Sequence, residues 1–156
     1  MSRRRGPGPA GWRAGRRQSV PSRVMDIVAA LFVEGIDLRT AFEGGPTLID
    51  LTGVHFSAPA PAPPPVTLTP HMVVLVRCGP DEAGTGVLEV VFRRDGEQVA
   101  RNVQPLQVDP GKFTYRLVRA ELELADYGTI EAHCRVDTGH VTIVPYTLVA
   151  GAPADA

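Results

Sequence analysis

The sequence predicts an all-β fold: an antiparallel β-sandwich of about seven or eight strands with immunoglobulin-like architecture. Three observations carry this reading. Apolar residues recur at every second position in short runs, as at Phe113, Tyr115 and Leu117. Turns rich in Gly, Pro and Asp separate those runs at short spacing. No stretch shows a convincing helical period.

Residues 1–24 hold seven arginines and no acid, five glycines and prolines between Gly6 and Gly11, and a lone Trp12. With no apolar period, the segment is expected to be a disordered arm. Its Arg/Gly/Pro/Ala-rich text is also what a translation start placed upstream of the true one yields in GC-rich DNA. Periodicity begins at Met25 with "MDIVAALFVEG", apolar enough for a strand buried on both faces, with a short helix the alternative that pattern alone leaves open. "TLIDLTGVHFSA" (47–58) follows a Gly-Gly-Pro turn, and its β-branched residues suit a pleated surface.

"PAPAPPPVTLTP" (59–70) lacks backbone donors at its prolines and is expected to run as polyproline II across one end of the fold. Its PxxP match at Pro61–Pro64 reads as a stiff connection before it reads as a ligand for a partner. "HMVVLVRC" (71–78) is a strand. "VLEVVFRRDGEQVARNV" is a hairpin, because Asp95-Gly96 supply the positive φ angles of a two-residue turn. Counting out from that turn pairs Arg94 with Glu97 and Phe92 with Val99.

"FTYRLVRAELEL" (113–124) alternates until its phase breaks near Val118–Ala120, so a bulge or a new strand from Glu121 is expected. "GTIEAHCRVDTGHVTIVPYTLV" is a second hairpin. A Thr138-Gly139 turn pairs Val136 with Val141 and Cys134 with Ile143, putting His133, Arg135 and Asp137 on the other face. The sandwich domain is therefore drawn over 25–150, with a flexible tail at 151–156.

At 156 residues, 44% hydrophobic and 21% charged, the chain is long enough for one self-sufficient core. The net charge of −1 hides an asymmetry: seven of the sixteen basic residues lie in 1–24, leaving nine against seventeen acids, a net of −8, in the remainder. A body so charged repels phosphate backbones, so only the arm favours nucleic acid. No apolar run approaches the ~20 residues of a membrane span, and no hydrophobic stretch follows the N-terminal arginines as a signal peptide requires. With two cysteines and no export signal, a cytoplasmic location is expected.

The segments "MDIVAALFVEG", "GGPTLIDLTGVHF", "LTPHMVVLVRC", "AGTGVLEVVFRRDGEQV" and "LADYGTIEAHCRVDTGHVTIVPYTLV" resemble an uncharacterised bacterial family of small, single-domain, cytoplasmic β-sandwich proteins, classed as a domain of unknown function. The similarity covers about residues 25–149 and rests on turn and core positions. It departs from the family where Tyr127 precedes Gly128 and Ile130 stands in place of an aromatic. What the resemblance implies is a fold, with no catalytic residue to carry over.

Several residues invite a functional reading. Cys78 and Cys134 suggest an immunoglobulin disulfide, but the core tryptophan is missing and Ala132 occupies the expected cysteine phase, so two buried free thiols are expected. His133 and Cys134 are adjacent and point to opposite faces of a strand. His55 and His71 lack a ligand partner at metal spacing. Asp137 and His140 flank the second turn, where a surface ion pair raising the His140 pKa is the ordinary outcome and a metal or acid–base role the bolder one. No GxSxG or GxxxxGK motif occurs, and "GGPT" (44–47) leads into a strand. Glu121 and Glu123 read as a solvated strand edge.

The sequence thus points to a non-enzymatic protein-binding or scaffolding module, with a protein partner or a homo-oligomer, no cofactor, and no assigned catalytic or metal residue. One alternative is a nucleic-acid binder acting through the N-terminal arginine arm. The other is a metal-dependent protein using His133, Asp137 and His140.

Overall fold

A computed structural model describes residues 25–152. The arm expected over 1–24 lies outside the described residues, as do residues 153–156 of the expected tail. The described chain is all β, with no helix and hence no helix long and apolar enough to cross a membrane. Its strands are β1 (Met25–Val33), β2 (Gly35–Thr40), β3 (Thr47–Thr52), β4 (Ser57–Pro59), β5 (Val66–Leu68), β6 (His71–Cys78), β7 (Thr85–Arg94), β8 (Glu97–Gln107), β9 (Phe113–Arg119), β10 (Leu122–Leu124), β11 (Gly128–Val136) and β12 (Thr142–Val149).

Four sheets form: β4-β12-β11-β7-β8, β1-β6-β9, and the two-stranded pairs β2-β3 and β10-β5. All pairings are antiparallel except the parallel contact of β4 with β12. Period-two alternation explains the burial. Met72, Val74, Val76 and Cys78 of β6 join one core cluster with Leu88, Val90 and Phe92 of β7 and Ile130, Ala132, Cys134 and Val136 of β11. Each large member contributes about 1.5–3 kcal/mol by leaving water.

The two larger sheets are joined differently at their two sides. On one side β1 runs through Glu34 into β2, the chain returns along β3, and His55 bridges to Phe32 before β4 joins β12. One long hairpin therefore has a leg in each large sheet, and its far half, β2-β3, projects from both. On the other side, edge strands β8 and β9 meet through side chains. The Gln104 amide donates to the Leu117 carbonyl (2.7 Å), Asn102 donates to the Arg119 carbonyl (3.1 Å), and Arg116 donates to the Pro105 carbonyl (3.2 and 3.3 Å). Pro105 has no N–H to offer a ladder, so a side-chain seam is the available solution.

Several sequence expectations are corrected. Among the described residues twelve strands replace seven or eight, because β4, β5 and β10 are three-residue strands defined by their partners, and 35–40 pairs with 47–52. Residues 61–65 form bends, and Val66–Leu68 pairs with Leu122–Leu124 where a polyproline II run was expected. The phase break after Val118 is a new strand.

The first hairpin pairs Arg94 with Glu97 as expected, around Asp95 (φ 50) and Gly96 (φ 83). Below it a bulge at Val99 pairs Phe92 with Ala100. In the second hairpin Cys134 pairs with Thr142 and His133 with Ile143. Asp137 (φ 47) is taken into a longer turn, and the one-residue slip moves Val144, Tyr146 and Leu148 inward while Ile143 faces out. Gly84 is required by packing, since a Cβ there would lie 1.5 Å from the Val108 carbonyl oxygen, whose N–H donates to the Gly84 carbonyl at 2.7 Å.

Candidate functional site

The residues that tempt a chemical reading are held apart. His133 sits on the outer face of β11 with Nε2 2.9 Å from Glu131 Oε2. The Asp137 carboxylate accepts the Val87 N–H (2.9 Å) and so anchors the turn to β7; it does not pair with His140 as the sequence suggested. His140 borders a separate small hollow of about 50 Å³ beside Met25 and Ile27. Among the described residues no three His, Cys, Asp or Glu side chains are grouped to hold a metal ion.

Cys78 and Cys134 are both free and buried. The Cys134 thiol lies 3.8 Å from the Met72 sulfur, whereas Cys78 stands six residues further along β6, roughly 20 Å away at strand rise. A disulfide needs Cα atoms within about 7 Å, so the pair cannot close. Burial pushes the Cys134 thiol up to about 12, which leaves it uncharged at neutral pH and poor as a nucleophile. Burial also raises the Tyr146 phenol, whose ring lies 4.6 Å from that of Phe32 and 5.7 Å from that of His55. His55 is fixed in turn by Nδ1 at 2.7 Å from the Gly53 carbonyl oxygen.

On the outer face of the five-stranded sheet, Glu89 takes hydrogen bonds from Arg101 (2.5 and 2.9 Å) and Arg135 (2.7 Å). Those bonds hold its carboxyl below the usual carboxylate range. This cross-strand network borders a shallow depression of about 120 Å³ that also includes His133. Its charges answer one another within the face.

The outer face of β1-β6-β9 is different in kind. Cross-strand rows run Leu31–Val73–Leu117 and Ala29–Leu75–Tyr115. Val33 and Val73 are buried yet stand outside the core cluster. The next row, Val33–His71–Arg119, opens into a cleft of about 260 Å³ with Glu34, Gly35, Ile36 and Leu117 in its wall. Glu34, His71 and Arg119 border it, with the Glu34 carboxylate lying over Gly53, and none of the three makes a side-chain hydrogen bond or ion pair among the described residues.

The projecting hairpin carries an apolar face of its own. Register places Ile36 opposite Leu51 and Leu38 opposite Ile49, all on one face, with Leu38 51% and Phe42 67% exposed. The opposite face carries the Arg39–Asp50 ion pair.

Sequence reasoning passed over Glu34 and Arg119 and dismissed His71 for want of a nearby ligand. Their meeting depends on the register of three strands, which no local motif encodes. No protein-family model and no curated protein matches the chain.

Proposed function

We propose that the chain is a non-enzymatic binding or scaffolding module, a β-sandwich of immunoglobulin-like architecture in which the two larger sheets face each other across the core. The shared core cluster and the two joined sides support the sandwich. In solution, nuclear Overhauser contacts between the Met72 methyl and Phe92 or Cys134 protons are expected, and their absence would overturn it.

The observation that carries the binding role is the apolar surface of the projecting hairpin, where Leu38 and Phe42 are exposed and Ile36, Ile49 and Leu51 stand half-buried beside them. Monomeric soluble proteins rarely leave contiguous apolar patches larger than a few hundred Å² uncovered. A two-stranded hairpin alone is marginally stable in water, and this one keeps its apolar side open. The side chains with chemical potential elsewhere are engaged in structure: Asp137 in a turn, Glu89 and His133 in cross-strand bonds, Cys134 in the core.

The test is retention on the immobilised full-length chain, compared with a Leu38→Asp/Phe42→Asp variant of matched thermal stability. Specific retention of a protein, a second copy included, that the variant loses supports the reading. Equal retention by both, or none by either, counts against it.

A further inference from the structure

We infer that the open edge of β2 is a docking site for an extended peptide with a free C-terminus, which adds as an antiparallel strand and delivers its carboxylate to His71 and Arg119. This rests on the binding role proposed above and deepens it by naming the class of partner.

The sheet forks where β6 begins. Val33 pairs with His71, and beyond that rung β1 runs on into β2. β5 instead continues the line of β6, with Leu68 opposite Leu122 in the same register that sets His71 opposite Arg119. Leu122 and Leu124 belong to the core cluster, so that arm of the fork follows the core. Pro70, at the break between β5 and β6, has no N–H to offer a rung. Among the described residues β2 is laddered to β3 alone, and its other edge stands open.

The backbone directions on β2 follow from its neighbours. The Phe32 carbonyl accepts from the His55 N–H (3.0 Å), and the Glu34 N–H donates to the Thr52 and Gly53 carbonyls (3.0 and 3.1 Å). Alternation then turns the N–H and C=O groups of Gly35, Asp37 and Arg39 the other way, toward the open edge. Such a row is a template for an added strand. Gly35 has no left-handed φ, and a Cβ there would touch only the Thr52 Cβ, at 3.9 Å. Neither torsion nor packing within the chain calls for this glycine, and a strand glycine is a common mark of close approach by another backbone.

Charge sets the direction of the guest. A strand antiparallel to β2 runs from the hairpin tip toward the fork, so its last residue arrives in the cleft of about 260 Å³ beside His71 and Arg119. Those two residues are cross-strand neighbours, and neither side chain has a partner among the described residues. A guanidinium takes a carboxylate through two parallel bonds, and even a neutral imidazole has one N–H to donate. The competing Glu34 carboxylate lies over Gly53, away from this pair by alternation. A parallel guest would bring an ammonium group to the same basic side chains.

The pleat sets the side chains. Guest residues opposite Ile36 and Leu38 share their apolar face, while the terminal residue, opposite Gly35, packs beside Val33 and Leu117. The partner is therefore apolar at its last two positions and at the fourth from its end.

The probe is a phage library of random heptapeptides displayed with free C-termini and panned on the immobilised full-length chain. Wild type is expected to enrich that apolar pattern. By fluorescence anisotropy, a synthetic enriched peptide should bind about tenfold or more tightly as the free acid than as the C-terminal amide, a comparison that needs no variant. Gly35→Val, which fills the cleft, and Arg119→Glu, which repels the carboxylate, should each weaken binding about tenfold or more while the melting temperature holds.

No enrichment overturns the inference, as does equal binding of acid and amide, or a folded Gly35→Val or Arg119→Glu chain that binds like wild type. If no peptide binds but a protein is still retained through Leu38 and Phe42, strand addition falls while the binding role stands. If nothing is retained, both fall.

Discussion

The seam between β8 and β9 should behave as a small cooperative circuit, and a double-mutant cycle can measure it. Gln104 Nε2 donates to both the Leu117 carbonyl (2.7 Å) and Asn102 Oδ1 (3.0 Å), while Asn102 Nδ2 donates to the Arg119 carbonyl (3.1 Å). Gln104→Ala therefore removes two hydrogen bonds, Asn102→Ala removes two, and the double variant removes three. At about 1 kcal/mol per bond, each single variant costs about 2 kcal/mol and the double about 3. The coupling is thus about 1 kcal/mol, with the double variant less damaged than the two singles together.

Urea unfolding followed by far-ultraviolet circular dichroism reads these differences, and each kcal/mol should shift the melting temperature by about 4 °C. Additive losses would show that the Asn102–Gln104 bond contributes nothing. Losses under about 0.3 kcal/mol for both singles would refute the seam altogether.

Other consequences are as direct. Native protein should react slowly with a thiol reagent at neutral pH and release two thiols per chain once unfolded; a count near zero under non-reducing denaturation would reveal a disulfide. Because burial raises the Cys134 thiol from 9.0 to about 12, its contribution to stability is intact below pH 9 and lost as pH climbs toward 12, so Cys134→Ala should flatten the alkaline fall in melting temperature. Arg101 and Arg135 lower the Glu89 carboxyl from its ordinary 4.5, so its stabilisation is present above pH 4.5 and disappears as pH falls below. The gap in melting temperature between wild type and Glu89→Gln should therefore close in acid, and a gap unchanged at pH 3 would contradict the pairing. Gly84→Ala forces a Cβ onto the Val108 carbonyl and should cost about 1–3 kcal/mol by chemical denaturation.

Much of the all-β character was legible because it is written locally. Asp95-Gly96 announces its hairpin through backbone torsion, and the inward phase of Ile130, Ala132, Cys134 and Val136 follows from alternation. Registers were less secure for a physical reason. The bulge at Val99 and the extra turn residue Asp137 each shift one strand by a single position, and no pattern in the flanking residues distinguishes a tight turn from a loose one.

The short strands β4, β5 and β10 had too few residues to show a period and exist because a distant strand receives them. The site was least legible of all. Glu34, His71 and Arg119 are far apart in sequence, and only the order β1-β6-β9 sets them side by side. The charge asymmetry between residues 1–24 and the remainder was plain in the sequence, but that arm lies outside the described residues.

The path of the long hairpin has a mechanical consequence. Its two legs are rooted in different sheets, one in β1 and one in β4, with the Phe32–His55 bridge tying them where they diverge. A load applied at the Phe42 tip is therefore divided between two sheets. The protrusion is thus a handle whose grip is shared by the whole body, and tension on it pulls along the strands, the direction in which a ladder yields only when many rungs fail at once.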